Sequence, residues 1–231
     1  MKNLKTLTLL LVFTLTIACN NENEECSYTQ PCEPYCDLFE DFEDKELGTF
    51  GNWQGLAIDD IQFQTFGASK TLYVEDGSGA SWAYNAVDFP KKLLEQGCAL
   101  NYDTAYLAGS SNSSTTDNGI VIYKGTSPAA STSRATFKLN LASLITSGDP
   151  LTTIEVPLEL ATGTTLPSNS YGEWVLSGIP SPYSAADIIT FNTLIQDIDG
   201  VAFFIDEGGN PAEKWWFDNF CFQQCCPDST I

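Results

Sequence analysis

Trp215-Trp216-Phe217-Asp218-Asn219-Phe220-Cys221-Phe222 is the stretch whose reading decides the fold. It is a short aromatic run, and in an extended chain its consecutive residues point to opposite faces. Trp215 and Trp216 therefore cannot both enter a core. If Trp216, Phe220 and Phe222 face inward, Trp215 and Phe217 lie on the outer face. Working outward, similar short runs recur at 56–66, 71–74, 81–87, 99–107, 119–123, 134–141, 151–160, 173–176 and 201–205. The first alternates in its middle, Ile61 and Phe63 against Asp60, Gln62 and Gln64. Between the runs lie Gly-Ser-Gly, Gly-Ser-Ser-Asn-Ser-Ser and Gly-Thr-Ser-Pro, which are loop compositions. About ten short strands at this spacing argue for an all-β sandwich or barrel.

Two stretches break the pattern. Residues 88–96 suggest at most two helical turns. Ser184 is a good N-cap with Asp187 in capping-box position, and Ile188, Phe191, Ile195 and Ile198 recur at helical spacing before Asp199-Gly200 stops the run. Both helices are expected to cross an end of the sandwich.

The chain has 231 residues, 43% hydrophobic and 12% aromatic, with ten basic and thirty acidic side chains and no histidine. A core of real size is affordable at this length. The absence of histidine excludes an imidazole-based triad and any zinc site with histidine ligands. A formal charge of −20 leaves little to neutralise phosphates, so no nucleic acid is expected as a partner.

Lys2 and Lys5 precede the apolar run 6–18, which at roughly 20 Å of helix is too short for the ~30 Å hydrocarbon core. It reads as a signal peptide, residues 1–18. Leu15-Thr16-Ile17-Ala18-Cys19 resembles a bacterial lipoprotein signal, with Thr16 where leucine is usual and Cys19 as the acylated residue. The alternative is a secreted chain in which Cys19 is incidental. Asn20 to Glu25 (NNENEE) resembles the acidic tether that directs Bacteroidota lipoproteins to the exterior of the outer membrane, or is simply a solvated spacer. The resemblance implies a lipid-anchored protein on the outer membrane, facing outward. The expected division is 1–18 signal, 19–37 acidic, cysteine-containing tether, 38–222 sandwich and 223–231 tail.

Seven cysteines remain beside Cys19: Cys26, Cys32, Cys36, Cys98, Cys221, Cys225 and Cys226. Six cluster near the termini, which favours disulfides stapling the two ends of one domain, although a metal-thiolate site stays open. Cys98 and Cys221 sit in apolar runs and could bridge neighbouring strands.

A resemblance adds to this. Ser81-Trp82-Ala83-Tyr84-Asn85-Ala86 leads through Phe89-Pro90 to Gly97-Cys98-Ala99-Leu100-Asn101-Tyr102-Asp103, with one residue more between glycine and leucine than the laminin B module has. Together with Val201–Ile205 and Trp216-Phe217-Asp218-Asn219-Phe220, this resembles that module and galactose-binding-like carbohydrate-binding modules. The likeness implies an antiparallel jelly-roll β-sandwich with one or two short crossing helices. In many such modules a "Phe-Glu" glutamate and the last-strand aspartate hold structural Ca²⁺. Here those are Glu43, after Phe42, and Asp218, although the turn around Glu43 reads equally as a solvated acidic one.

Sugar rings stack on exposed aromatics while acids and amides bind hydroxyls. Trp53, Trp82, Tyr84 and Trp215 are the expected ligand-binding platforms, with Tyr106 and Trp174 as further candidates; the alternative for each is a place in the core. No catalytic residue is assigned, since no carboxylate dyad stands out and Asp197-Ile198-Asp199 reads as a helix stop. The expected function is non-enzymatic binding of a polysaccharide or an extracellular protein. The alternatives are a structural or adhesive envelope protein and a carboxylate-dependent glycan-active enzyme.

Overall fold

The computed structural model describes residues 35–77, 80–107, 118–140, 144–205 and 213–224. Two antiparallel sheets lie face to face. The six-stranded sheet has the order β3 (Ile58–Phe66), β4 (Ser69–Asp76), β13 (Lys214–Gln224), β6 (Ala99–Leu107) and β9 (Thr152–Pro157), with β1 (Tyr35–Glu40) also pairing with β13. The seven-stranded sheet runs β10 (Ser168–Asn169), β11 (Gly172–Leu176), β8 (Ser131–Leu139), β7 (Gly119–Gly125), β12 (Gly200–Phe204), β5 (Trp82–Asn85) and β2 (Gln54–Leu56). Every pair in both sheets is antiparallel. The all-β antiparallel sandwich expected from the short runs is the fold of this chain. β1 takes in Tyr35, Cys36 and Asp37, which the sequence had placed in the tether.

Aromatic rings fill the space between the sheets. Phe203 of β12 stacks on Phe217 of β13 with centroids 3.9 Å apart, and Tyr102 stacks on Phe220 at 5.8 Å. Trp53 lies under Phe89, Phe203 and Phe220. Fully burying each such ring stabilises by roughly 1.5–3 kcal/mol.

The inward set of β13 departs from the expectation. Trp215, Phe217, Phe220 and Phe222 all face the core, whereas Trp216 packs outside against Phe66 and Tyr73. Strict alternation cannot place both Phe217 and Phe220 inward. A bulge does so: the register against β6 slips between Asp218 and Cys221, and Asn219 takes φ +50. One additional residue there resets the alternation.

A second break falls in the run 56–66. Ala57 adopts φ +57 and swings the chain from β2 in one sheet to β3 in the other. Its carbonyl accepts Gly77 N–H and Ser81 Oγ–H, which holds the turn.

The helix α1 (Ala185–Gln196) forms as expected, with both halves of the capping box between Ser184 and Asp187 present. It leads from β11 to β12, buries Ile188, Phe191, Leu194 and Ile195, and sets Phe191 against Trp174. The run 88–96 yields only a 3₁₀ turn at Leu93–Glu95; Lys92, which precedes it, offers no side-chain cap. The expected second helix is thus a single turn.

Cys36 and Cys221 form a disulfide across β1 and β13, with a Cα–Cα distance of 5.5 Å. This corrects the suggestion of a Cys98–Cys221 bridge: Cys221 stands opposite Asn101 on β6, out of register with Cys98. Cys98 is also disulfide-bonded. Cys19, Cys26, Cys32, Cys225 and Cys226 lie outside the described residues, as does the leader.

Candidate functional site: the outer face of the seven-stranded sheet

In an antiparallel sandwich, residues opposite the core should be polar, because that side meets water. The seven-stranded sheet breaks this rule on one half. Trp82, Val121, Tyr123 and Ala202 form a second apolar cluster separate from the core, with Tyr84 and Phe204 packed against it. Strand alternation assembles it. Ala83, Val201, Phe203, Ile120 and Ile122 turn inward, so their neighbours turn out. Register then brings the outward set together: Ala202 lies opposite Tyr84 and Val121, and Phe204 opposite Trp82. Trp82 and Phe204 have centroids 4.5 Å apart, and Tyr84 meets Tyr123 edge-on at 6.5 Å. Tyr84 donates its hydroxyl proton to Gln54 Oε1 at 2.8 Å.

Tyr123 is fully buried, and its hydroxyl has no hydrogen-bond partner among the described residues. Burial, with Tyr84 and Asp199 nearby, pushes its pKa up to about 12. The ring passes over Gly200, where a Cβ would come within 2.3 Å of the hydroxyl oxygen, so only glycine leaves room.

The other half of the face is polar. On β8 the outward residues are Arg134, Thr136 and Lys138; on β11 they are Glu173 and Val175, with Ser177 just beyond the strand. Glu173 faces Lys138 in register. Along this half run two adjoining clefts, of about 550 and 360 Å³, which share Lys138, Ser168 and Glu173 in their walls. Arg134 joins the two halves. Its guanidinium lies 4.9 Å from the Trp82 ring centroid, while Nε donates to Ser177 Oγ and Nη1 to the Pro128 carbonyl.

Of the expected platforms, Trp82 and Tyr84 meet on this face. Trp82 is only 7% exposed, packed by Phe204 and the Arg134 guanidinium, so Tyr84 alone of the four keeps ring surface open to a sugar. Trp53 and Trp215 are corrected: both are core residues, 3% and 2% exposed. Trp215 stacks on Tyr106 and its indole N–H donates to the Ile205 carbonyl. Trp174 and Tyr106 are buried as well. Tyr123, Phe204 and Arg134 were missed, although the alternation in Arg134-Ala135-Thr136-Phe137-Lys138 already marks an outward polar row.

The expected metal residues sit in the turn after β1 and at the β13 bulge. Asp218 is buried, and its carboxylate accepts the Asn219 N–H at 2.8 Å. Burial raises its pKa to about 7, and the charges of Asp103, Glu43 and Asp41 push the same way. Glu43 Oε1 accepts the Lys70 N–H at 2.9 Å, and Asp103 accepts Asn219 Nδ2–H at 2.7 Å. Among the described residues no three carboxylate or thiolate side chains converge closely enough to form a metal site by themselves.

Asp197 and Asp199 both pair with Lys124, at 2.8 and 3.0 Å, and Asp199 also accepts the Gly125 N–H. Lys124 holds the Asp199 carboxyl below its usual range. The pair clamps the exit of α1 to β7.

No family model matches the sequence, and no curated protein matches it. Among solved structures, an exo-β-agarase matches with TM-score 0.51 and 13% identity over 83% of this chain, which spans 25% of the agarase's length. CtCBM11, studied in solution for its structure, dynamics and binding, matches with TM-score 0.48 and 12% identity, over 83% of this chain and 96% of that one. The L4b domain of human laminin α-2 matches with TM-score 0.42 and 17% identity, over 66% and 80%. At such an identity the agarase likeness speaks for the fold alone.

Proposed function

We propose that this chain is a non-catalytic binding domain, anchored by lipid on Cys19 to the outer membrane and facing the exterior, that holds a polysaccharide through the outer face of its seven-stranded sheet. One observation carries the reading: aromatic rings and hydrogen-bonding side chains share a face that a sandwich ordinarily leaves polar. Stacking surface beside hydroxyl-binding groups is what a sugar site requires. The leader and the acidic run after Cys19 support the location. The Asp197–Asp199 pair, tied to Lys124, does not offer the two carboxylates facing across a cleft that a glycosidase needs.

Calcium belongs to the same proposal as a structural ion. A buried carboxylate that feels the negative charge of Asp103, Glu43 and Asp41, with no cationic side chain paired to it among the described residues, would gain from a divalent cation. Asp218 and Glu43 would hold it, with oxygen ligands beyond side chains completing the shell. The ion would supply charge neutralisation where β13 bulges.

Screening the purified protein against a polysaccharide panel, with and without chelator, tests the reading. Retention on at least one polymer is expected, with loss in Tyr84→Ala. Failure to bind any polysaccharide would refute the glycan reading and leave an extracellular protein as the partner.

A further inference from the structure

The chain contains a single arginine among thirty acidic residues, and it is Arg134. In a protein of net charge −20 a guanidinium has many carboxylates to choose from. Lys45, Lys92, Lys124 and Lys214 each pair with one or two. Arg134 pairs with none among the described residues. Its Nε and one Nη1 hydrogen go to a hydroxyl and a carbonyl, both neutral. The Nη2 hydrogens and the second Nη1 hydrogen have no protein acceptor among the described residues. The group is half-buried and lies against Trp82. Partial desolvation without a counter-charge lowers its pKa, and no acid opposes that shift. A desolvated, unpaired cation is costly to keep unless something compensates it.

We infer that Arg134 is the seat for an anionic substituent on the bound glycan, a uronate carboxylate or a sulfate ester. This rests on the proposed glycan site and names its ligand class. The geometry matches the chemistry. The remaining N–H donors form a planar fork suited to a two-oxygen anion, and the ring under the guanidinium fixes its plane. Tyr84, half-buried, lies on one side for a sugar ring, and the cleft along β11 lies on the other, with Ser177 in its wall. Lys138 is four residues along β8, roughly 13 Å away, but Glu173 stands opposite it, so the anion's place is at the Arg134 end. A chain this acidic repels polyanions in general, so any polyanion it retains must be held at a local site.

The test is titration calorimetry of the full chain with three polymers: a polyuronate, the same polyuronate with its carboxyls reduced to alcohols, and a sulfated galactan. Neutral polysaccharides and the variant Arg134→Gln complete the set. Tenfold or greater loss of affinity on carboxyl reduction or on Arg134→Gln, together with weakening in salt, is the expected result. The polyuronate and sulfated arms decide which anion fits. Binding to neutral polymers that Arg134→Gln leaves unchanged would overturn the inference while leaving the glycan reading intact. No binding to any polymer overturns both. Should Arg134→Gln fail to fold, the native and carboxyl-reduced pair on the unmutated protein decides alone.

Discussion

Replacing Asp218 with asparagine should stabilise the protein at neutral pH in the absence of divalent cations. The folded chain holds the Asp218 proton up to about pH 7, against 3.8 for an ordinary aspartate. Between those values the folded state binds more protons than the unfolded one, so stability falls as pH rises. The contribution is complete below about pH 4 and fully lost above about pH 7. A tenfold change in proton affinity is worth 1.36 kcal/mol, which sets a ceiling of about 4 kcal/mol on the cost of ionising Asp218 in place. Local water relaxes part of this, and about half the ceiling corresponds to a midpoint change of roughly 4–8 °C for a domain of this size. Asparagine keeps the oxygen that accepts the Asn219 N–H and removes the charge. Thermal melts of both proteins in chelator, from pH 4 to 8, make the measurement. The two should coincide at pH 4, with the variant increasingly ahead toward pH 8; added Ca²⁺ should close the gap by raising the unmutated protein alone. A difference that does not change with pH, or a less stable variant at pH 8, would refute the assignment of a strained buried carboxylate.

Other expectations follow from the packing. Cys36→Ala with Cys221→Ala opens a loop of 185 residues and should cost about 2–5 kcal/mol in urea unfolding, near the chain-entropy ceiling of about 5. Phe203→Ala removes the ring stacked on Phe217 and should cost about 3–5 kcal/mol by the same assay. Gly200→Ala forces a methyl against Tyr123 and the Asn85 carbonyl; about 1–3 kcal/mol of stability should be lost, and with it polysaccharide retention. In Tyr84→Ala, whose side chain lies outside the core, retention should fall while the melting midpoint stays within a few degrees.

The strands and the helix were legible because their signals are local. Alternation marks β3, and the capping box at Ser184 and Asp187 marks where α1 begins. The errors came where one residue changes the phase. Asn219 inserts a bulge that puts Trp215 inside and Trp216 outside, the reverse of what plain alternation gives. Ala57 at positive φ divides one apparent strand between two sheets. Ala57 is of a type that does not announce a left-handed conformation; Asn219 is of one that visits it more readily than other non-glycine residues, but only as a weak signal.

From the order of its residues alone this chain is committed to many short strands, one capped helix, an acidic surface without imidazole chemistry, and cysteines placed to tie its ends. Those follow from nearest-neighbour sterics and composition. Which aromatics are buried, that Cys221 meets Cys36, and that Arg134 lies on Trp82 with no carboxylate beside it among the described residues were decided only by how the sheets pair. Strand partners far apart in sequence set those neighbours, and a shift of one residue exchanges a strand's inner and outer faces.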